Sequence, residues 1–357
     1  MFAPMDLPFS TRLPRFYFAY PPADEPAPAL APEILVDTIE SPAERRAGLI
    51  AGLLAEPARI SPKFFYDAQG CAIYGAICTL DEYYPTRTET GIFAKNRQAI
   101  AACLPTGAQW VDLGCGDGEK AWGWLDAVQA ARYIGIDIAE GWLAATLQAG
   151  HKRFPHIGFT GVVTDFTRPF SITDVLGTQA DKPAVFFYPG SSIGNFEPGQ
   201  ALSMLRTMRA HLGSHGRLLI GADAPCNTTT KPQPLLEAAY ADALGVTAAF
   251  NLNVLRVVNR ELGSHFAPGD FEHRAVFNAA ASRIEMQLVA RRSHQVTVGD
   301  AIRQFAAGEA IITEHSYKYT PERFEALLAQ AGFGDVRRWS DERGWFNVYV
   351  AAPGAQA

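Results

Sequence analysis

The segment Val111-Asp112-Leu113-Gly114-Cys115-Gly116-Asp117-Gly118-Glu119-Lys120 joins an apolar run to a helical pattern through a glycine turn flanked by acids. Gly114 and Gly116 let the backbone come close to a ligand, and Gly118 opens a helix whose N-terminus faces it. Asp137 ends the next apolar run, near the offset of about 20 residues at which a carboxylate grips a ribose hydroxyl. A glycine turn alone is often only a tight turn. With strand, helix and carboxylate in register, it predicts a nucleoside cofactor at Gly114, Gly116 and Asp137. A pyrophosphate-binding turn reads G-x-G-x-x-G and stays free of acids near the phosphates. Here Asp112, Asp117 and Glu119 crowd the turn, which disfavours a nicotinamide dinucleotide and suits the cationic sulfonium and ammonium of S-adenosylmethionine.

Other polar residues stand where ligands bind. Gly190-Ser191-Ser192-Ile193-Gly194-Asn195 leaves a buried run at its carboxyl end, the usual ligand edge of an open α/β sheet. Asn195 there is either a ligand contact or an Asx-turn residue. Glu314 and Ser316 share one strand face at i, i+2, a ligand-facing pair or a solvated face, with His315 pointing the other way. Met286 lies on an alternating strand, where core packing is common. Cys115 borders the glycine turn with no base nearby and reads as packing. The eight histidines show no H-x-x-x-H spacing, so no metal site is expected.

The elements that must hold these residues can be read from hydrophobic periodicity. QWVDLG, RYIGIDIA, IGFTGVVTDF, PAVFFYPG and GRLLIGAD read as strands separated by helical patterns. Short apolar runs alternating with helices predict a parallel sheet covered on both faces. After Asp223 the rhythm breaks into one long helical stretch, LLEAAYADALGVTAAFNLNVLRVVNREL, and a hairpin, HRAVFNAAASRIEMQLVARR. A last helix, TPERFEALLAQAG, and two strands close the chain. The expected division is a proline-rich extension over 1–35, a cofactor-binding core with N-terminal helices over 36–225 plus 317–357, and an inserted α+β substrate domain over 226–316.

Composition narrows the functional class. The 357 residues include 31 Lys and Arg against 37 Asp and Glu, a net charge of −6, which speaks against a nucleic-acid partner. No apolar run approaches the roughly 18 residues of a membrane helix. The start lacks a basic and then apolar signal pattern. Five cysteines without a C-x-x-C pair fit a reducing cytoplasm. A cytoplasmic enzyme acting as a monomer on a small molecule is expected.

The D-L-G-C-G-D-G turn resembles the first motif of class I, Rossmann-like methyltransferases, and Asp165-Phe166 resembles the pair that binds adenine in that superfamily. Read without the resemblance, Asp165 could be a helix cap or a turn residue. Further segments occur in one order: F-F-Y-D-A-Q-G (64–70), L-D-E-Y-Y-P-T-R-T-E (80–89), Y-P-G-S-S-I-G-N-F (188–196), F-N-L-N-V-L (250–255), R-I-E-M (283–286) and E-H-S-Y-K-Y (314–319). Together they resemble the L-histidine Nα-methyltransferases of ergothioneine biosynthesis, over roughly 40–352. The resemblance implies successive methyl transfers from S-adenosylmethionine to the α-amine of L-histidine, giving hercynine. It places Tyr66 near the substrate amine, Tyr83 near cofactor and substrate, and Asn195 with Tyr240 at the amino-acid head, the tyrosine at the carboxylate. Met286, Glu314 and Ser316 would form the side-chain pocket, and Lys120 would belong to the cofactor loop. From spacing alone the three tyrosines could equally be core aromatics.

Three other functions compete. A relative could methylate another aromatic amine or amino acid, such as a tryptophan derivative, although an indole would not need a carboxylate at Glu314. The acidic turn argues against an NAD(P)-dependent oxidoreductase, and the intact motifs argue against a non-catalytic binding protein.

Overall fold

The computed structural model describes residues 32–354 apart from 37–39, 167, 169 and 228. The proline-rich head lies outside the described residues as far as 31. Its last residues run into an edge strand of the main sheet, β1 (Glu33–Val36). Next come α1 (Pro42–Leu54), β2 (Ala58–Arg59), α2 (Ala68–Ile77) and α3 (Tyr84–Ala101). Ser41 and Glu44 form a capping box on α1, which fixes where that helix starts. Pro85 lies in the first turn of α3, where its missing N–H is harmless. The irregular segment before the helix therefore ends at Tyr83.

Strands and helices then alternate as the periodicity predicts: β3 (Gln109–Leu113), α4 (Glu119–Leu125), β4 (Arg132–Asp137), α5 (Glu140–Arg153), β5 (Gly158–Val163), α6 (Thr173–Gly177), β6 (Ala184–Tyr188), α7 (Pro198–His211) and β7 (Arg217–Asp223). After β7 come α8 (Gln233–Ala238), α9 (Val246–Leu262), β8 (Phe271–Asn278), β9 (Arg283–Ala290), β10 (His294–Val298), β11 (Ala301–Phe305) and β12 (Ala310–Tyr317). The chain ends with α10 (Pro321–Gln330), β13 (Phe333–Ser340) and β14 (Phe346–Pro353).

The main sheet has the order β1-β5-β4-β3-β6-β7-β14-β13. It is parallel through β7, and β14 and β13 then run antiparallel. Because side chains alternate along a strand, each strand feeds two cores. Val111 and Leu113 pack on one face with Phe186, Leu218 and Phe324, while Trp110 packs on the other with Tyr133, Phe187 and Leu125. Strand order reverses between β3 and β6, the crevice where open α/β sheets take their ligands.

The second sheet has the order β2-β12-β9-β8, beside the β10–β11 hairpin. Its core joins Leu49 and Leu53 of α1 and Ile77 of α2 to Phe250 and Val254 of α9 and to Ile284 and Leu288 of β9. Of the N-terminal helices, expected with the cofactor core, α1 and α2 thus pack in this second core, while Ile92 and Ile100 of α3 pack on the main sheet. The long helical stretch expected after Asp223 is two helices. Asp242 accepts from the Val246 and Thr247 N–H groups at 2.9 and 2.7 Å, which caps α9 and ends any continuity with α8.

Candidate active site

The carboxyl ends of β3, β4, β5 and β6 meet at the crevice. Gly114 and Gly116 have φ of +66° and +52°, a left-handed turn open to glycine. A β-carbon on Gly116 would meet nothing within 4 Å, so open space lies over the turn. Asp137 accepts from the Gly116 N–H at 3.3 Å and the Ala139 N–H at 3.0 Å, which aims its carboxylate along the edge of that space. Burial holds the Asp137 carboxyl above its ordinary pKa. Phe166 lies against Gly114, its ring 3.5 Å from where a β-carbon would sit, and the buried Asp165 carboxylate pairs with Lys63 at 3.1 Å. A glycine cradle, a carboxylate at its rim and an aromatic beside a second acid fit an adenosine. The acids that suggested a cationic ligand also have local partners. Asp112 is buried against Tyr133 at 2.8 Å, and its pKa is pushed up to about 7 by burial. Asp117 caps the Glu119 N–H at 3.1 Å, and Glu119 pairs with Arg153 at 2.8 Å.

Beyond the cradle, one cavity is lined by all seven expected substrate residues: Tyr66, Tyr83, Asn195, Tyr240, Met286, Glu314 and Ser316. They come from distant parts of the chain. Tyr66 follows the 3-10 turn Pro62–Phe65, Tyr83 precedes α3, and Tyr240 follows α8. Asn195 ends the 3-10 turn Ser192–Asn195, and Met286, Glu314 and Ser316 lie on β9 and β12. The Asn195 turn packs directly on β12, because a β-carbon at Gly194 would stand 2.6 Å from the Tyr317 carbonyl oxygen. Only glycine allows that approach.

Glu314 is 8% exposed, and among the described residues no donor reaches its carboxylate. Burial pushes its pKa up to about 7, with the Lys318 charge acting the other way. Burial also drives the Tyr66 phenol well above its ordinary range, with Tyr74 and Glu314 adding to the effect. Tyr66 therefore stays neutral. His315 turns away from the cavity and bonds Glu197 at 2.7 Å, as the alternation of β12 requires.

Glu89 joins the two halves. Fully buried, it accepts from the Gly190 N–H at 2.8 Å and pairs with Lys120 at 2.8 Å, so the cofactor helix and the Asn195 loop share one carboxylate.

A family model described as histidine-specific methyltransferase, SAM-dependent, matches residues 45–353. The chain belongs to that family. Relatives include the histidine N-alpha-methyltransferases of Mycolicibacterium smegmatis, 39% identical, and Mycobacterium tuberculosis, 36% identical. Each alignment covers 86% of this chain and 94% of the relative. The 4-dimethylallyltryptophan N-methyltransferase of Arthroderma benhamiae is 27% identical, over 82% of this chain and 88% of that protein.

The site also contains residues that sequence reasoning passed over. Glu89 and Lys318 sat inside motifs already singled out, but nothing in their spacing showed that they were buried. Tyr74 and Phe250, on the cavity wall, form an aromatic corner with Tyr66, ring centroids 6.0 and 6.1 Å from it. Phe250 sits inside the F-N-L-N-V-L segment already singled out, and no motif marked Tyr74.

Proposed function

We propose that the protein methylates the α-amine of L-histidine with S-adenosylmethionine, carrying it through to hercynine, the precursor of ergothioneine. S-adenosylmethionine supplies the electrophilic methyl group. The carrying observation is the buried Glu314 carboxylate, which no donor among the described residues reaches, on the wall of a cavity that also holds Tyr66, Asn195 and Tyr240. An imidazole N–H is the donor such a carboxylate lacks, and Met286 beside it offers an apolar, adaptable contact to the ring. Ser316 is bonded to Tyr240 at 3.0 Å, so its contact with the ligand is shared with the amino-acid head. Asn195 and Tyr240 hold that head, and the neutral Tyr66 hydroxyl accepts from an amine N–H and orients the lone pair. Most of the acceleration is positional, since alignment of amine and methyl can supply about 7–11 kcal/mol.

The test is titration calorimetry of L-histidine into the protein saturated with S-adenosylhomocysteine, repeated with L-tryptophan. Histidine should bind and tryptophan should not. Binding of tryptophan in preference to histidine would instead support methylation of an indole amino acid.

A further inference from the structure

Behind the cavity wall lies a buried cluster of charges that the proposed roles do not use. Asp223, Lys231 and Lys318 all have fully buried side chains. Lys231 Nζ stands 2.6 Å from Asp223 Oδ1, and the Tyr84 hydroxyl donates to Asp223 Oδ2 at 2.7 Å. With one carboxylate between two lysines, the cluster carries a net positive charge while both are protonated. Burial works against the Lys318 charge, yet Asp223 and Tyr240 hold its pKa above the ordinary lysine value.

Counting protons shows what this does to the cavity. An ammonium has three donors and no acceptor. Those of Lys318 reach Asp223 Oδ2 at 2.8 Å, Tyr240 Oη at 2.7 Å and Ser316 Oγ at 3.0 Å. Tyr240 and Ser316 are themselves 3.0 Å apart and share one hydrogen bond, which uses one of their two hydroxyl protons. The other has no acceptor among the described residues, and both hydroxyls belong to residues lining the cavity. This pole therefore offers a donor with a cation behind it. Glu314, two residues before Ser316 and so about 6–7 Å along β12, is the accepting pole.

We propose that Lys318 is a positioning residue that, through Tyr240 and Ser316, makes this pole selective for an anionic carboxylate. The inference rests on reading the cavity as an amino-acid site. A neutral ligand with the same acceptor oxygen meets the hydroxyl but gains nothing from the cation. The discriminating pair is L-histidine and L-histidinamide, which differ in that charge.

The experiment is titration of both ligands at neutral pH, with S-adenosylhomocysteine present, into wild type, Lys318→Met and Lys318→Arg. Wild type should bind L-histidinamide at least about tenfold more weakly than L-histidine. Lys318→Met should lose about tenfold in L-histidine affinity while L-histidinamide and S-adenosylhomocysteine change little, and Lys318→Arg should recover most of the loss. An equal loss for both ligands would mean Lys318 only supports the fold. Should Lys318→Met fail to fold, the wild-type comparison decides: equal binding of the two ligands, within about twofold, overturns the assignment. If wild type binds neither ligand, the amino-acid reading fails and takes this inference with it.

Discussion

Met286 stands directly across the β9–β12 ladder from Glu314, at a point where a bulge shifts the register of β12. The apolar and the acidic contact proposed for the imidazole are thus cross-strand neighbours in one sheet, and substitution of either alters the space next to the other.

Glu314→Ala should lower kcat/KM for L-histidine about a hundredfold or more, because the imidazole N–H then meets no acceptor in a desolvated pocket. Discrimination against L-tryptophan should relax at the same time, most of all when Met286 is also made smaller. The ratio of kcat/KM for the two amino acids, in wild type and variant, is the measurement. An unchanged ratio would remove Glu314 from the pocket.

The raised pKa of Glu314 has a stability consequence. The carboxyl ordinarily titrates near 4.5 and in the fold near 7, so the folded state holds the proton more tightly. Its contribution is complete below about pH 4.5 and is lost as pH rises through about 7, on the order of 3 kcal/mol in all. Glu314→Gln should therefore melt at a higher temperature than wild type at pH 8, in the absence of ligand, with the difference shrinking toward pH 5. Asp112 titrates in the same range with the same sign and remains in both proteins, so the difference between them isolates Glu314. A gap between the melting curves that does not change with pH would contradict the burial argument.

Asp137→Ala should weaken S-adenosylhomocysteine binding by about 2 kcal/mol, the size of hydrogen bonds to a charged group. Some of that loss is indirect, since the Gly116 and Ala139 N–H groups lose their acceptor. Calorimetry on wild type should also show no binding of NAD, and the opposite pattern would end the methyl-donor reading.

Tyr66→Phe should slow the first and second methyl transfers by about tenfold, roughly 1.4 kcal/mol of barrier. The third should suffer less, because each transfer consumes an N–H that the hydroxyl could accept. A phenol held neutral by burial is not a titrating base, so the pH dependence of the rate should keep its shape. Single-turnover rates on histidine and on its mono- and dimethylated forms separate the steps.

The alternating sheet, the glycine turn and the position of Asp137 were legible in the sequence because each depends on local pattern: strand period, turn chemistry and a fixed offset between neighbouring strands. That the seven expected substrate residues share one cavity was recoverable only through ordered motifs, since contacts between residues as far apart as Tyr66 and Glu314 leave no trace in spacing. Local pattern misled in two places and fell short in a third. It attached α1 and α2 to the wrong core, because an amphipathic face does not say which partner covers it. It ran α8 into α9, because a cap made by the side chain of Asp242 competes with helix propensity. It showed the acids around the turn only as charge suited to a cationic ligand, whereas tertiary contacts show Asp112 facing Tyr133 and Glu119 facing Arg153. Burial was the deciding quantity that the sequence could not supply. The same lysine and glutamate that are solvated charges on a surface become, at Lys318 and Glu314, a fixed cation and a carboxyl near neutrality, because folding removes the water that would otherwise screen them.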